Sequence, residues 1–307
     1  MIRAFYHPGY EAPIGEHVMP IRKFALVAEG LRGNPSVKAI EPQPATEVDL
    51  LRVHAQAYID AIRTGQPRAL AESQKFPWSE ALYPSVCLTS GGVMAAARAA
   101  REDGIAAAVA SGFHHSHADH GEGFCTFNGL VVAIDALRAE GAIKTAVVLD
   151  MDLHYGNGTA SLAVSRPYMF AMSIYGNDYL DNKAYRDVTV RQHIDGDNHV
   201  SASLPAGCDG PTMMRILDTQ LPLLIANGKP DLLLYQAGAD PYFEDPYSPL
   251  NLNHEDLKAR DTRVFEFAKA QGIPIAWALA GGYTKDVSKV VKVHLKTFEA
   301  AIEVHSA

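Results

Sequence analysis

Five short runs of apolar residues punctuate the chain: AAAVAS at 106–111, TAVVLDMD at 145–152, YMFAMSI at 168–174, DLLLYQAG at 231–238 and PIAWALAG at 274–281. Each is continuous rather than alternating and is bounded by turn formers, the pattern of strands buried on both faces of a parallel sheet. Stretches between them carry a helical period. Residues 46–65 open with Thr46 followed three positions on by Asp49, a capping arrangement, and meet Gly65 where a helix would stop. Residues 211–228 gather Met213, Ile216, Leu217, Leu221, Leu224 and Ile225 on one face, with Pro222 set to kink it. Residues 254–272 carry a stripe of Leu257, Val264, Phe265 and Ala268. Alternating buried strands and amphipathic helices predict an α/β fold of three layers, α/β/α, about a mainly parallel sheet with right-handed crossovers. Neither a Pro/Ser-rich linker nor an internal repeat divides residues 1–307, which predicts a single domain.

In open parallel sheets, ligands bind beyond the carboxyl ends of the strands. Polar segments follow four of the predicted strands there: FHHSHADH, DMDLHYGNG, GADPYFEDP and GGYTKD. In DMDLH, Asp150, Asp152 and His154 share a parity and would face one side of an extended chain. Burying neighbouring carboxylates costs several kcal/mol unless a cation compensates. Asp240 ends a second apolar run in a similar setting. Two carboxylates and an imidazole from this group make a three-ligand divalent site with an open position, as hydrolytic zinc sites need. The same aspartates also suit capping a helix or closing a turn. SGFHHSHADHGEGFC, residues 111–125, offers a rival ligand set in His114, His115, His117, His120 and Cys125. His115 and His117 could share an ion, whereas the side chains of adjacent His114 and His115 diverge. His117 and His120, in a very polar stretch, also read as solvated loop residues, and Cys125 beside Phe124 and Phe127 as a small buried hydrophobe. GGY, residues 281–283, equally suits a turn with an aromatic plug.

Composition narrows the function. Hydrophobic residues at 48% and charged residues at 20% describe an ordinary globular chain. A net charge of −8 argues against a general binder of nucleic acid, which needs clustered Lys and Arg, and weakly favours cationic substrates. Cys87, Cys125 and Cys208 are odd in number and far apart, which argues against a disulfide framework and for a reducing compartment. MIRAFYHPGY lacks the apolar core of a secretory signal, and no apolar run is long enough to span a bilayer, so a cytoplasmic protein is expected. Neither Ser111 nor Cys125 sits in a G-x-S-x-G elbow, which argues against a covalent nucleophile.

FHHSHADHGEGFC, VVLDMDLHYGNGT, YQAGADPYFEDP and ALAGGY, in this order, resemble the motifs of the histone deacetylases and deacetylase-like amidohydrolases, which share the arginase-like α/β fold. VHAQAYIDAI at 53–62 extends the likeness over most of the chain. TSGGVMAAARAARE, with a histidine loop that lacks the PPGHH form, looks most like the class IV type. The resemblance implies zinc on Asp152, His154 and Asp240, and His115 as the general base and then acid, with His114 as its electrostatic companion. It implies that Asp150 orients His114 and, with the backbone oxygens of Asp152 and His154 and the hydroxyl of Ser173, holds a monovalent cation, usually potassium. Tyr283 would hydrogen-bond the substrate carbonyl, Gly123 and Phe124 would wall an acyl-lysine tunnel, and Tyr247 would lie at its rim. Asn157 stands where some members have an aspartate, so the pKa of His115 is expected to be lower than in an Asp-paired site. IYGNDYLD at 174–181 departs from the usual tunnel wall, leaving Tyr175, Asn177 and Tyr179 unassigned.

The implied activity is a zinc-dependent amidohydrolase that removes acetyl or longer acyl groups from an amine such as acyl-lysine or an acylated polyamine. The expected partner is that small substrate, with neither nucleic acid nor membrane, and the chain would act as a monomer or homodimer. Two rivals remain. An arginase-type ureohydrolase with two manganese ions needs a D-x-D pattern ending at Asp240, where this chain has Gly238. A non-hydrolytic acyl-amine binding module needs neither His115 nor Tyr283.

Overall fold

The computed structural model describes every residue except 16, 180–182, 184–192, 194 and 307. In chain order its elements are β1 (Ile2–Phe5), α1 (Lys23–Gly30), β2 (Val37–Ile40), α2 (Glu47–Leu51), α3 (Gln56–Thr64), α4 (Arg68–Ala71), α5 (Leu82–Asp103) and β3 (Ile105–Ser111). There follow α6 (Gly129–Ala139), β4 (Ala146–Asp150), α7 (Asn157–Ala163), β5 (Met169–Tyr175), β6 (His199–Ser203) and α8 (Gly210–Gln220). The last are β7 (Leu233–Ala237), α9 (His254–Gln271), β8 (Ile275–Leu279) and α10 (Val287–Ser306). The strands form one sheet in the order β2-β1-β3-β8-β7-β4-β5-β6, and the pairings are parallel throughout. The expected three-layer α/β/α architecture is therefore the one observed. No described helix is long and apolar enough to cross a membrane.

All five strands expected from apolar runs are present, and four of them are buried at every position. Small residues let β3, IAAAVAS, lie close beneath the Ala- and Gly-rich α5. β1, β2 and β6 escaped the sequence reading for a common reason. They are four or five residues long, and the two edge strands, β2 and β6, have no fully apolar run.

Residues 46–65 are not one helix. The capping box at Thr46 and Asp49 forms, and Gly65 ends the segment at φ 75°. Between them the helix breaks after α2 because the backbone there is used elsewhere. The Ala55 amide donates to the Ala118 carbonyl at 2.7 Å, and His54 Nδ1 donates to the His117 carbonyl at 2.9 Å. Tertiary bonds to the histidine loop thus override local helix propensity. Further on, Pro222 acts as expected: α8 stops at Gln220 and the chain continues as a 3-10 turn, Leu221–Ile225.

Sheet order fixes where chemistry can sit. β8 and β7 lie between β3 and β4, so the carboxyl ends of β3, β8, β7 and β4 are neighbours. The loops that leave these four strands carry the histidine-rich segment, the GGY turn, Asp240 and the DMDLH segment respectively.

Candidate active site

Asp152, His154 and Asp240 come together just beyond β4 and β7, all of them buried. His154 Nδ1 lies 3.2 Å from Asp152 Oδ1 and 3.1 Å from Asp240 Oδ2. The remaining carboxylate valences are turned outward onto backbone amides. Asp152 Oδ2 accepts from Gly281 N at 2.7 Å, and Asp240 Oδ1 accepts from Leu153 N at 2.9 Å. A side chain at Gly281 would collide with the Asp240 carboxylate, so only glycine permits this approach. Buried Arg260 ties the two segments from behind, its Nη1 donating to Met151 O at 3.1 Å and Gly238 O at 2.9 Å.

Electrostatics follow from that crowding. Burial opposes charge on His154, but its bonds to Asp152 and Asp240 prevail and raise its pKa to about 10. Burial and the nearby Asp152 lift Asp240 to about 6. Two buried carboxylates facing one imidazole nitrogen form a cation-shaped site. Bonds of about 2.0–2.2 Å to one ion set tetrahedral ligands roughly 3.3 Å apart, close to the spacing here. The donor set fits a divalent metal such as zinc, and the ligand atoms all lie within 4.8 Å of one another.

His114 and His115 follow β3, side by side and buried, with ring centroids 4.0 Å apart. His114 Nδ1 donates to Asp150 Oδ2 at 2.6 Å, and His115 Nδ1 donates to Asn157 Oδ1 at 2.6 Å. Their protonation diverges. Burial disfavours the His114 imidazolium, yet Asp150 and Asp152 outweigh it and raise the pKa to about 9. Burial, then the charges on His114 and His154, push His115 well below the usual histidine range. The Asn157 hydrogen bond pulls the other way, behind burial and the two charged neighbours.

An aromatic collar surrounds this pair. Tyr179 stacks on His115 at 3.9 Å, and the Tyr283 and Tyr247 rings each lie 6.1 Å from His154. Phe124 stacks on Phe76 and lies 6.1 Å from Tyr283. Gly123, at φ 49°, passes so close to His115 and the Tyr179 hydroxyl that no side chain fits there. Burial, then Asp240 and Asp152, raise the Tyr283 phenol well above its ordinary value, so it remains a donor. Beside Asp150, the β4–β5 register sets Ser173, whose hydroxyl accepts from Gly156 N at 3.2 Å.

The rival ligands divide. His114 and His115 face different partners, and Cys125 is buried and free. His117 and His120 instead gather around Glu122, away from Asp240. Of the unassigned residues, Tyr179 lies against His115, while positions 180 and 181 of the departing segment fall outside the described residues.

Three residues near the site went unnoticed in the sequence. Asp245, fully buried, accepts from Tyr283 N at 2.7 Å and Tyr247 N at 3.1 Å, and burial with Asp240 lifts its pKa to about 7. Lys23 Nζ donates to Ala280 O at 2.5 Å, and burial lowers its pKa to about 8 against the pull of Asp240. Glu122 accepts from Asn157 Nδ2 at 2.7 Å. The acidic FEDP segment hinted at Asp245; nothing local marked Lys23, which reaches across 257 positions.

Comparison with known proteins follows the same outline. Residues 17–298 match the family described as the histone deacetylase domain. An uncharacterized protein of Picosynechococcus sp. is 30% identical over 98% of this chain and 98% of its own length. Histone deacetylase 2 of Arabidopsis thaliana is 29% identical, the match spanning 87% of this chain and 68% of that protein. Acetylpolyamine aminohydrolase from Burkholderia pseudomallei, known from a crystal structure, shares the fold with a TM-score of 0.76 at 19% identity, covering 98% of each chain.

Proposed function

We propose, from the premise that the chain belongs to the histone deacetylase domain family and is an amide-hydrolysing deacetylase, that it removes acetyl or longer acyl groups from amines with the help of one zinc ion. The observation that carries this reading is the convergence of Asp152 Oδ1 and Asp240 Oδ2 on His154 Nδ1, at 3.2 and 3.1 Å, beside two imidazoles of opposite protonation.

Asp152, His154 and Asp240 would hold the metal. Zinc supplies Lewis acidity at a carbonyl and lowers the pKa of water towards ~7. His115, kept neutral by burial, takes a proton from the attacking water on Nε2, the nitrogen left free by Asn157. His114, held as an imidazolium by Asp150, stabilises negative charge growing beside it. Tyr283 donates its hydroxyl proton in a hydrogen bond to the substrate oxygen. His115 then returns its proton to the departing amine. Two neighbouring titratable groups driven apart by their surroundings divide acid and base duties in this way.

Asp150, Asp152, His154 and Ser173 are assigned a monovalent cation, potassium being the candidate, on the strength of the Asp150–Ser173 register. Gly123, Phe124 and Tyr247 are assigned to the acyl channel on the strength of the collar. A net charge of −8 suits a cationic amine product, so acetyl-lysine and acetylpolyamines are the favoured classes.

The test is a mass-detected panel of acyl-lysines and acylpolyamines of varied chain length, with zinc-loaded wild type and His115→Ala. Expected are turnover of at least one class and a loss of about 10²–10⁴-fold in the variant. An inert protein carrying one zinc would turn the assignment into a binding module. Two tightly held ions would revive the ureohydrolase, against which stands Gly238, where a side chain would collide with the Asp152 backbone.

A further inference from the structure

His115 is useful as a base only if its proton sits on Nδ1 and Nε2 is bare, and the group that decides this is an amide. Asn157 Oδ1 accepts from His115 Nδ1 at 2.6 Å. An amide is nearly symmetric in shape, so packing alone does not choose which end faces the imidazole. Turned over, Asn157 would present Nδ2 to His115, and the ring would have to carry its proton on Nε2. A chooser is needed.

Glu122 is in position to choose. Its Oε2 accepts from Asn157 Nδ2 at 2.7 Å, and a carboxylate can only accept. Glu122 is anchored in turn by its backbone, whose carbonyl accepts from Cys125 N at 2.7 Å. Two imidazoles flank the carboxylate: His120 Nε2 at 3.5 Å and His117 Nε2 at 3.9 Å, with His117 Nε2 also 3.3 Å from Asn157 Nδ2. These two histidines and Glu122 do not make a convincing second metal site. The two rings stack with planes 9° apart and centroids 4.5 Å apart, so an ion in the plane of one ring lies out of the plane of the other.

We propose that Glu122 is a positioning residue for the proton-transfer step: it locks the Asn157 amide in one orientation and thereby selects the His115 tautomer with a free Nε2. The inference rests on the reading of His115 as the general base. Its physical basis is orientation, not field strength. Burial and the charges on His114 and His154 dominate the basicity of His115, whereas Glu122 reaches it through the Asn157 amide.

The test uses full-length, zinc-loaded protein with ¹⁵N-imidazole-labelled histidine, His115 being assigned by its absence in His115→Ala. In the wild type, the protonated nitrogen is Nδ1. Glu122→Gln keeps an acceptor but adds a donor, so the choice is weakened rather than reversed: both tautomers are populated and kcat falls less than in Glu122→Lys. Glu122→Lys offers only donors, turns Asn157 over and moves the proton to Nε2, with kcat down about a hundredfold and KM nearly unchanged. A second pair guards against misfolding of the lysine variant. Asn157→Asp alone sets two carboxylates against each other and is impaired; adding Glu122→Ala removes the clash and restores at least tenfold. An unmoved tautomer in Glu122→Lys, or a double variant no better than Asn157→Asp, refutes the lock. A tautomer that follows Glu122 in a protein that cleaves no amide sustains the lock and sinks the reaction assigned above. Hydrolysis with a tautomer indifferent to Glu122 does the reverse.

Discussion

Tyr283 is held on several sides. Its amide is tied to Asp245 at 2.7 Å, its ring is wedged between Phe124 and Tyr247, and burial with Asp240 and Asp152 keeps its phenol protonated. A hydroxyl so fixed can donate to an oxygen that gains charge during reaction, and one such donor is commonly worth about 3–4 kcal/mol. Tyr283→Phe should therefore lower kcat by roughly a hundredfold or more, with KM little changed, because the ring remains. Bound zinc should be unchanged, since Tyr283 is not among the convergent ligand atoms. Steady-state kinetics with metal analysis checks both. A variant within threefold of wild type would reduce Tyr283 to an aromatic wall. At this scale the motif residues were legible because strand ends concentrate polar groups where an apolar chain would not tolerate them. Lys23 and Glu122 were not, because their value lies in what tertiary folding brings within 3 Å: the Ala280 carbonyl for one, the Asn157 amide for the other.

The histidine loop keeps its shape through neighbouring elements. His54, in the break between α2 and α3, donates from Nδ1 to His117 O at 2.9 Å and accepts at Nε2 from Asn128 N at 3.0 Å. Tyr58 of α3 donates to Thr126 O at 2.7 Å. A sequence reading of 46–65 sees caps and a helical period but not these distant acceptors, which is why it joined two helices into one. The central strands were legible for the opposite reason: full burial leaves an unbroken apolar signature. His54 also gives the tie a pH dependence. Burial, partly opposed by the His117 carbonyl, lowers its pKa to about 3, while the unfolded chain titrates near ~6.5. The unfolded state takes the proton first, so this contribution is complete above about 6.5 and is lost as pH falls towards 3. At ~1.4 kcal/mol per unit, about 2 kcal/mol should be gone at pH 5. Urea melts of wild type and His54→Gln at pH 7, 6 and 5 test the point, since titrations common to both cancel in the difference. The variant should be weaker at pH 7 by about 1–3 kcal/mol through its unmatched partners, and its slope shallower by one proton. Equal slopes would show that His54 does not stay neutral in the fold.

Across the whole molecule, metal and fold should be coupled. Asp150, Asp152, Asp240 and Asp245 are all buried at the carboxyl ends of the central strands, Asp150 as the last residue of β4 and the others in the loops after β4 and β7. Arg260 braces these two segments from the rear through Met151 O and Gly238 O, but in front their carboxylates face each other across His154. Without an ion, a proton on His154 Nδ1 has to bridge them, which is why that group is so basic. An ion in its place does the same work with more charge and joins segments nearly ninety positions apart, as the 86-residue separation of His154 and Asp240 records. Zinc at a hundredfold excess over Kd adds about 2.7 kcal/mol to the native state, roughly a 4 °C rise in Tm for a chain of this size. Chelation should reverse the rise, and Asp240→Asn should abolish it. Because the ion displaces the bridging proton, calorimetry near pH 7.5 in buffers of different ionisation enthalpy should register proton release on binding. A Tm that ignores both zinc and chelator would mean that the cluster is held by protons and hydrogen bonds alone, and a metal-assisted hydrolysis could not be run there.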